Sequence, residues 1–74
     1  MIHPLMAIFH ELREEQNLSQ AKVANKINAL RGEFQPKLKG SHIGKMERGL
    51  WRPTLPLFEE MLNALGYELE IVKK

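Results

Sequence analysis

Residues 40–49 read Gly40-Ser41-His42-Ile43-Gly44-Lys45-Met46-Glu47-Arg48-Gly49, and their spacing decides the fold. Ile43, Met46 and Leu50 recur at i, i+3 and i+7, an apolar stripe along one side of a helix. Ser41, His42, Lys45 and Arg48 lie off that stripe and form, with the acid Glu47, a small, polar and mostly basic outer set. Gly49 can enter the left-handed conformation that closes a helix. The stretch predicts a short helix that packs by one side and offers hydrogen-bond donors on the other.

Working outward, Pro4 suits a first helical position, where its missing N–H would be unpaired anyway. Leu5, Ile8, Phe9 and Leu12 then follow helical spacing to about Gln16, and Asn17 can end that helix. Ser19 is an N-cap for a second helix, with Leu18 and Val23 as a hydrophobic staple. Val23, Ala24, Ile27 and Leu30 form its inner face and Gly32 its end. Residues 31–39, RGEFQPKLK, read as a loop, with Phe34 and Leu38 tucked into the core edge. After the turn Leu50-Trp51-Arg52-Pro53, Thr54 caps a further helix that accepts Pro56 in its first turn and ends at Gly66. Its inward residues are Leu55, Phe58, Leu62 and Leu65. The tail alternates Tyr67, Leu69 and Ile71 against Glu68, Glu70 and Val72, which is strand periodicity. No second strand candidate exists in the chain, so its edge groups invite a partner.

Seventy-four residues make one domain, 1–74. A chain this short buries only about 60% of its unfolded surface, so a partner chain would help it. Hydrophobic content of 43% with 27% charged residues is globular rather than disordered. The absence of cysteine removes disulfides and thiolate metal sites. The opening residues lack the basic lead of a secretory signal, and no apolar run approaches membrane-spanning length, so a cytoplasmic protein is expected. The net charge of +2 is unevenly placed. Between residues 20 and 52, Lys22, Lys26, Arg31, Lys37, Lys39, Lys45, Arg48 and Arg52 face only Glu33 and Glu47, whereas both ends are acidic. A basic middle suggests a polyanion footprint; its alternative is a solvated basic face.

These segments resemble the lambda-repressor and Cro (XRE-type) helix-turn-helix family from about Leu12 to Leu65. The resemblance rests on Leu12-Arg13, Leu18-Ser19-Gln20, Val23-Ala24, Ile43, Met46-Glu47-Arg48-Gly49, Pro53 and Ala64-Leu65-Gly66. It implies an all-α, compact four- to five-helix domain, to which the periodicity adds a short C-terminal β-strand able to pair across a dimer. One departure stands out: the helices of the motif are ordinarily joined by three or four residues, and Ile27 to Leu38 is about nine longer than that pattern.

The resemblance also implies roles. The third helix would read bases in the major groove through Gly40, Ser41 and Lys45, with His42 adjacent. Lys45 could donate to guanine and Ser41 to either base type, while Gly40 has no side chain to offer. His42 fits a surface or phosphate-contacting histidine better, and the alternative for Lys45, the less favoured one, is an exposed solubilising lysine. Phosphate contacts fall to Gln20, Lys22, Lys37, Lys39, Arg48 and Arg52, with Arg31 a further loop base. Arg13 and Glu47 match an ion pair joining the first helix to the third. Leu50, Trp51, Tyr67, Leu69 and Ile71 are the candidate dimer surface, Trp51 being a core-edge or dimer residue. The function implied is a sequence-specific DNA-binding repressor, a homodimer on a palindromic operator. Its rival is an antitoxin that binds a toxin partner and autoregulates. Three histidines and nine acids form no metal-ligand or nucleophile–base spacing, so neither an enzyme nor a cofactor is expected.

Overall fold

The computed structural model describes residues 2–32 and 36–73. Four helices follow one another: α1 (Pro4–Glu15), α2 (Gln20–Leu30), α3 (Gly40–Glu47) and α4 (Leu55–Ala64). Their starts are set by short polar caps. The Ser19 hydroxyl accepts from the Lys22 N–H at 3.1 Å, and Thr54 from the Leu57 N–H at 3.3 Å. The His3 ring nitrogen does the same for Leu5, ahead of a helix that begins with Pro4. Three helices end by one device. A residue with positive φ (Asn17 at 55°, Gly49 at 80°, Gly66 at 87°) turns the chain back on itself. The next N–H then reaches a carbonyl five residues upstream: Leu18 to Arg13, Leu50 to Lys45, Tyr67 to Leu62.

The core joins one face of each helix: Met6 and Phe9, then Val23, Ala24 and Ile27, then Ile43 and Met46, then Phe58, Met61 and Leu62, closed by Leu65. Leu12, Leu18, Leu38, Leu57 and Leu69 pack around it. At about 1.5–3 kcal/mol for each large side chain fully buried, this one cluster supplies most of the drive to fold.

Several sequence expectations need correction. In α1 the buried positions are Met6, Phe9 and Arg13, while Leu5 and Ile8 face out. The apolar residues of α1 wrap more than one face, and spacing alone did not select the packed one. Leu30 is 70% exposed, because α2 stops there and its capping residue is Arg31 rather than Gly32. Leu50 is 67% exposed: α3 has ended at Glu47, and the reversal at Gly49 takes Leu50 off the helical stripe. Leu55, the first residue of α4, lies above the packed turns. Phe34 falls outside the described residues.

The tail differs most from expectation. Residues 67–73 form no strand, and among the described residues 68–73 make no backbone hydrogen bond. Leu69 packs on the core, whereas Tyr67 is exposed and Ile71 fully so. A strand needs a second strand, and the described residues supply none.

Candidate nucleic-acid interface

The packed side of α3 is set by two glycines. A Cβ on Gly40 would lie 2.9 Å from the Ala21 backbone, and one on Gly44 would lie 2.9 Å from the Gln20 amide oxygen. At Gly40 the obstacle is backbone, so only glycine allows this approach of α2 and α3; at Gly44 it is the movable end of the Gln20 side chain. Gly40, expected among the base-reading positions, is therefore spent on the helix contact at the first turn of α3.

A buried ion pair ties α3 to α1. Arg13 Nε donates to Glu47 Oε2 at 2.7 Å and Nη2 to Oε1 at 2.8 Å, a two-pronged contact between side chains only 8% and 5% exposed. Arg13 Nη1 also donates to the Leu18 carbonyl at 2.8 Å, so one guanidinium holds α1, α3 and the turn before α2. Glu47 gathers two further donors, His10 Nδ1 at 2.6 Å and Gln20 Nε2 at 3.4 Å. The short His10 contact puts a proton on Nδ1, so the 3.2 Å approach of Arg13 Nη2 to that nitrogen is donor against donor. Burial alone pushes the Glu47 carboxyl up, but the hydrogen bonds from Arg13 and His10, the Arg13 charge and the Gln20 contact together hold it below its ordinary value. The hydrogen bond to Glu47 raises Arg13 against the opposing effect of burial. His10 had no pattern signal: it sits one turn before Arg13 but carries no motif of its own. Gln20, expected at a phosphate, lies over Gly44 and turns its amide to Glu47.

The loop before α3 is also anchored. The Asn28 amide donates to the Leu38 carbonyl and accepts from the Leu38 N–H, both at 2.8 Å. Arg31, expected as a loop base for phosphate, instead forms a two-pronged pair with Glu60 (2.5 and 3.1 Å) and donates to the Pro36 carbonyl at 2.7 Å. The Arg31–Glu60 hydrogen bonding holds Glu60 below its ordinary value and Arg31 above its own. The Lys39 N–H donates to His42 Nδ1 at 3.1 Å, which caps α3 with its own first-turn histidine.

What remains is the outer face of α3. Ser41 and Arg48 are exposed, and His42 and Lys45 half-buried. Lys22, Lys37, Lys39 and Arg52 are exposed, and among the described residues no carboxylate pairs with them or with Arg48. Trp51 lies against this face: its ring stacks on His42 (centroids 5.1 Å apart, planes 16° apart), and Lys45 Nζ sits 5.0 Å from the ring centroid. Leu50, Trp51, Tyr67 and Ile71, from the expected dimer surface, are all exposed. A cavity of about 250 Å³ opens beside Trp51, between Leu5, Met6, Leu55 and Phe58. Among the described residues no group of three histidines and acids is placed to hold a metal, and no helix is long and apolar enough to cross a membrane.

The geometry is a helix locked on its inner side, with uncompensated cations around its outer side. A helix-turn-helix family model matches residues 9–72, which takes in all of α2 and α3 and the loop between them. No curated protein and no solved structure gave a match.

Proposed function

The chain belongs to the lambda-repressor and Cro (XRE) type of the helix-turn-helix family, a family of DNA-binding transcription regulators, and on that premise we propose that it is a repressor reading a palindromic operator as a homodimer. The observation that carries this reading is the outer face of α3. Ser41 and Lys45 stand one turn apart on a helix whose opposite side is fixed by Gly40, Gly44 and Glu47. Such a helix enters the major groove with its tilt already set. Lys45 donates to guanine and Ser41 to a neighbouring base edge. Lys22, Lys37, Lys39, Arg48 and Arg52 contribute contacts to phosphate, and Gln20 positions the start of α2 against the backbone.

One short reading helix contacts few base pairs. A twofold dimer on half-sites about 34 Å apart doubles the contact. The tail supports it: among the described residues, 68–73 find no backbone partner, and two tails running antiparallel satisfy each other. The apolar side chains of Leu50, Trp51 and Leu55 remain exposed and favour a second reading. In it the chain is an antitoxin that also holds a toxin protein.

Selection on random duplexes, repeated across salt concentrations, tests the main reading. A recovered inverted repeat, with binding that weakens steeply with salt, supports it. Equal retention of every duplex refutes it.

A further inference from the structure

The residue that the DNA-binding reading leaves over is Trp51, a large aromatic side chain 46% exposed and outside the buried core. The chain goes to some length to bring it back to α3. Gly49 at φ 80° reverses the backbone, and the N–H groups of Leu50 (2.9 Å) and Trp51 (3.4 Å) both converge on the Lys45 carbonyl. Trp51 is thus tied to the main chain of the same lysine whose ammonium lies 5.0 Å from its ring centroid. The other ring contact is His42, one turn earlier on the same helix and held at Nδ1 by the Lys39 N–H.

We propose that Trp51 is a positioning residue of the reading helix, a platform that holds Lys45 and His42 in place before DNA arrives; this rests on the DNA-binding reading above. A lysine carries a compact charge on a flexible four-carbon stem, and ordering it is a cost that binding would otherwise meet. An ammonium above an indole face is attracted by the ring quadrupole while some of its N–H donors stay turned to solvent. The stacked imidazole stiffens the platform, and with Nδ1 accepting from Lys39 its Nε2 is the nitrogen free to face DNA. Trp51 therefore contributes to base discrimination without itself touching a base.

The test compares Trp51→Leu, which keeps apolar bulk but removes the aromatic face, with Trp51→Phe, which keeps a face. On the duplex recovered by selection, Trp51→Leu lowers affinity roughly two- to tenfold, the range set by ordering one side chain on binding. Its loss on a scrambled duplex is smaller, and Trp51→Phe recovers part of the difference. In a Lys45→Ala, His42→Ala background the Trp51→Leu effect disappears. Without DNA, proton NMR shows upfield ring-current shifts for the Lys45 ε-methylene in the parent and none in Trp51→Leu. Normal Lys45 shifts in the parent overturn the proposal. So does an affinity loss that persists in the double-alanine background, or one that tracks a fall in sedimenting mass, which would make Trp51 a dimer contact. A parent that prefers no duplex fails the DNA-binding reading and this proposal with it. A parent that discriminates while Trp51→Leu binds identically fails this proposal alone.

Discussion

Breaking the Arg13–Glu47 pair is the sharpest perturbation of this fold. A domain of this size is stable by roughly 4–11 kcal/mol, at 0.05–0.15 kcal/mol per residue. Removing one member of a buried pair costs about 3–5 kcal/mol, because the other is left charged and dry. The two single variants should not be equal. In Arg13→Ala, Glu47 keeps His10 at 2.6 Å and Gln20 at 3.4 Å, so the cost falls near the bottom of that range, about 3 kcal/mol. In Glu47→Ala, the buried guanidinium keeps the Leu18 carbonyl, the His10 ring nitrogen 3.2 Å away and a 3.5 Å contact to the exposed Glu14, but loses its charged partner, and Gln20 loses its acceptor. The cost moves towards about 5 kcal/mol. At about 4–8 °C of melting temperature per kcal/mol for a domain this small, the drops are roughly 12–24 °C and 20–40 °C. The double alanine variant should lose less than the two singles added, since neither charge is then stranded. Urea and thermal unfolding followed by circular dichroism measure all three. Melting within about 5 °C of the parent for either single variant, or strict additivity, would refute the buried pair.

Lys45→Ala should weaken the best duplex by roughly 1–3 kcal/mol and relax one base position, whereas Gln20→Ala should weaken all duplexes alike; competition binding on single-base variants checks both, and parent-like profiles would sink the base-reading role. Truncation after Gly66 should shift the sedimenting mass towards one chain and reduce operator affinity with helix content nearly intact; a truncated chain that stays dimeric moves the interface to the Leu50-Trp51 edge. Acid should destabilise the domain, because Glu47 and Glu60 are both held below their ordinary values. Their contribution is complete above the unfolded value of about 4.3 and is lost as pH falls through the folded ones. Glu47→Gln should therefore flatten the stability-against-pH curve between about pH 5 and 3, and an unchanged slope contradicts the assignment. Gly40→Ala meets the Ala21 backbone and should cost about 1–3 kcal/mol as an overpacked contact, whereas Gly44→Ala meets the movable end of Gln20 and should cost less; equal denaturation midpoints would argue against the close α2–α3 approach.

Local chemistry was readable directly from the residues. Ser19 and Thr54 as caps, Pro4 at a helix start, and Asn17, Gly49 and Gly66 as closures involve atoms only a few positions apart, so spacing in the chain is spacing in space. The family pattern likewise marked Arg13 and Glu47 as a pair, although 34 residues separate them. The tertiary structure decided what depends on the neighbour. Which of the apolar residues of α1 is buried followed from where α2, α3 and α4 lie, and that selected Met6 over Leu5 and Ile8. Gly40 is an empty reading position in the sequence, but the packed helices make it the place where Ala21 comes too near for any side chain. Arg31 reads as a loop base until Glu60, 29 residues away, is brought beside it. Trp51 reads as a core-edge or dimer residue, and only the reversal at Gly49 reveals that its ring lies on His42 and beneath Lys45. The tail alternates as a strand does, but strand pairing is a property of two segments, and the described residues hold no second one.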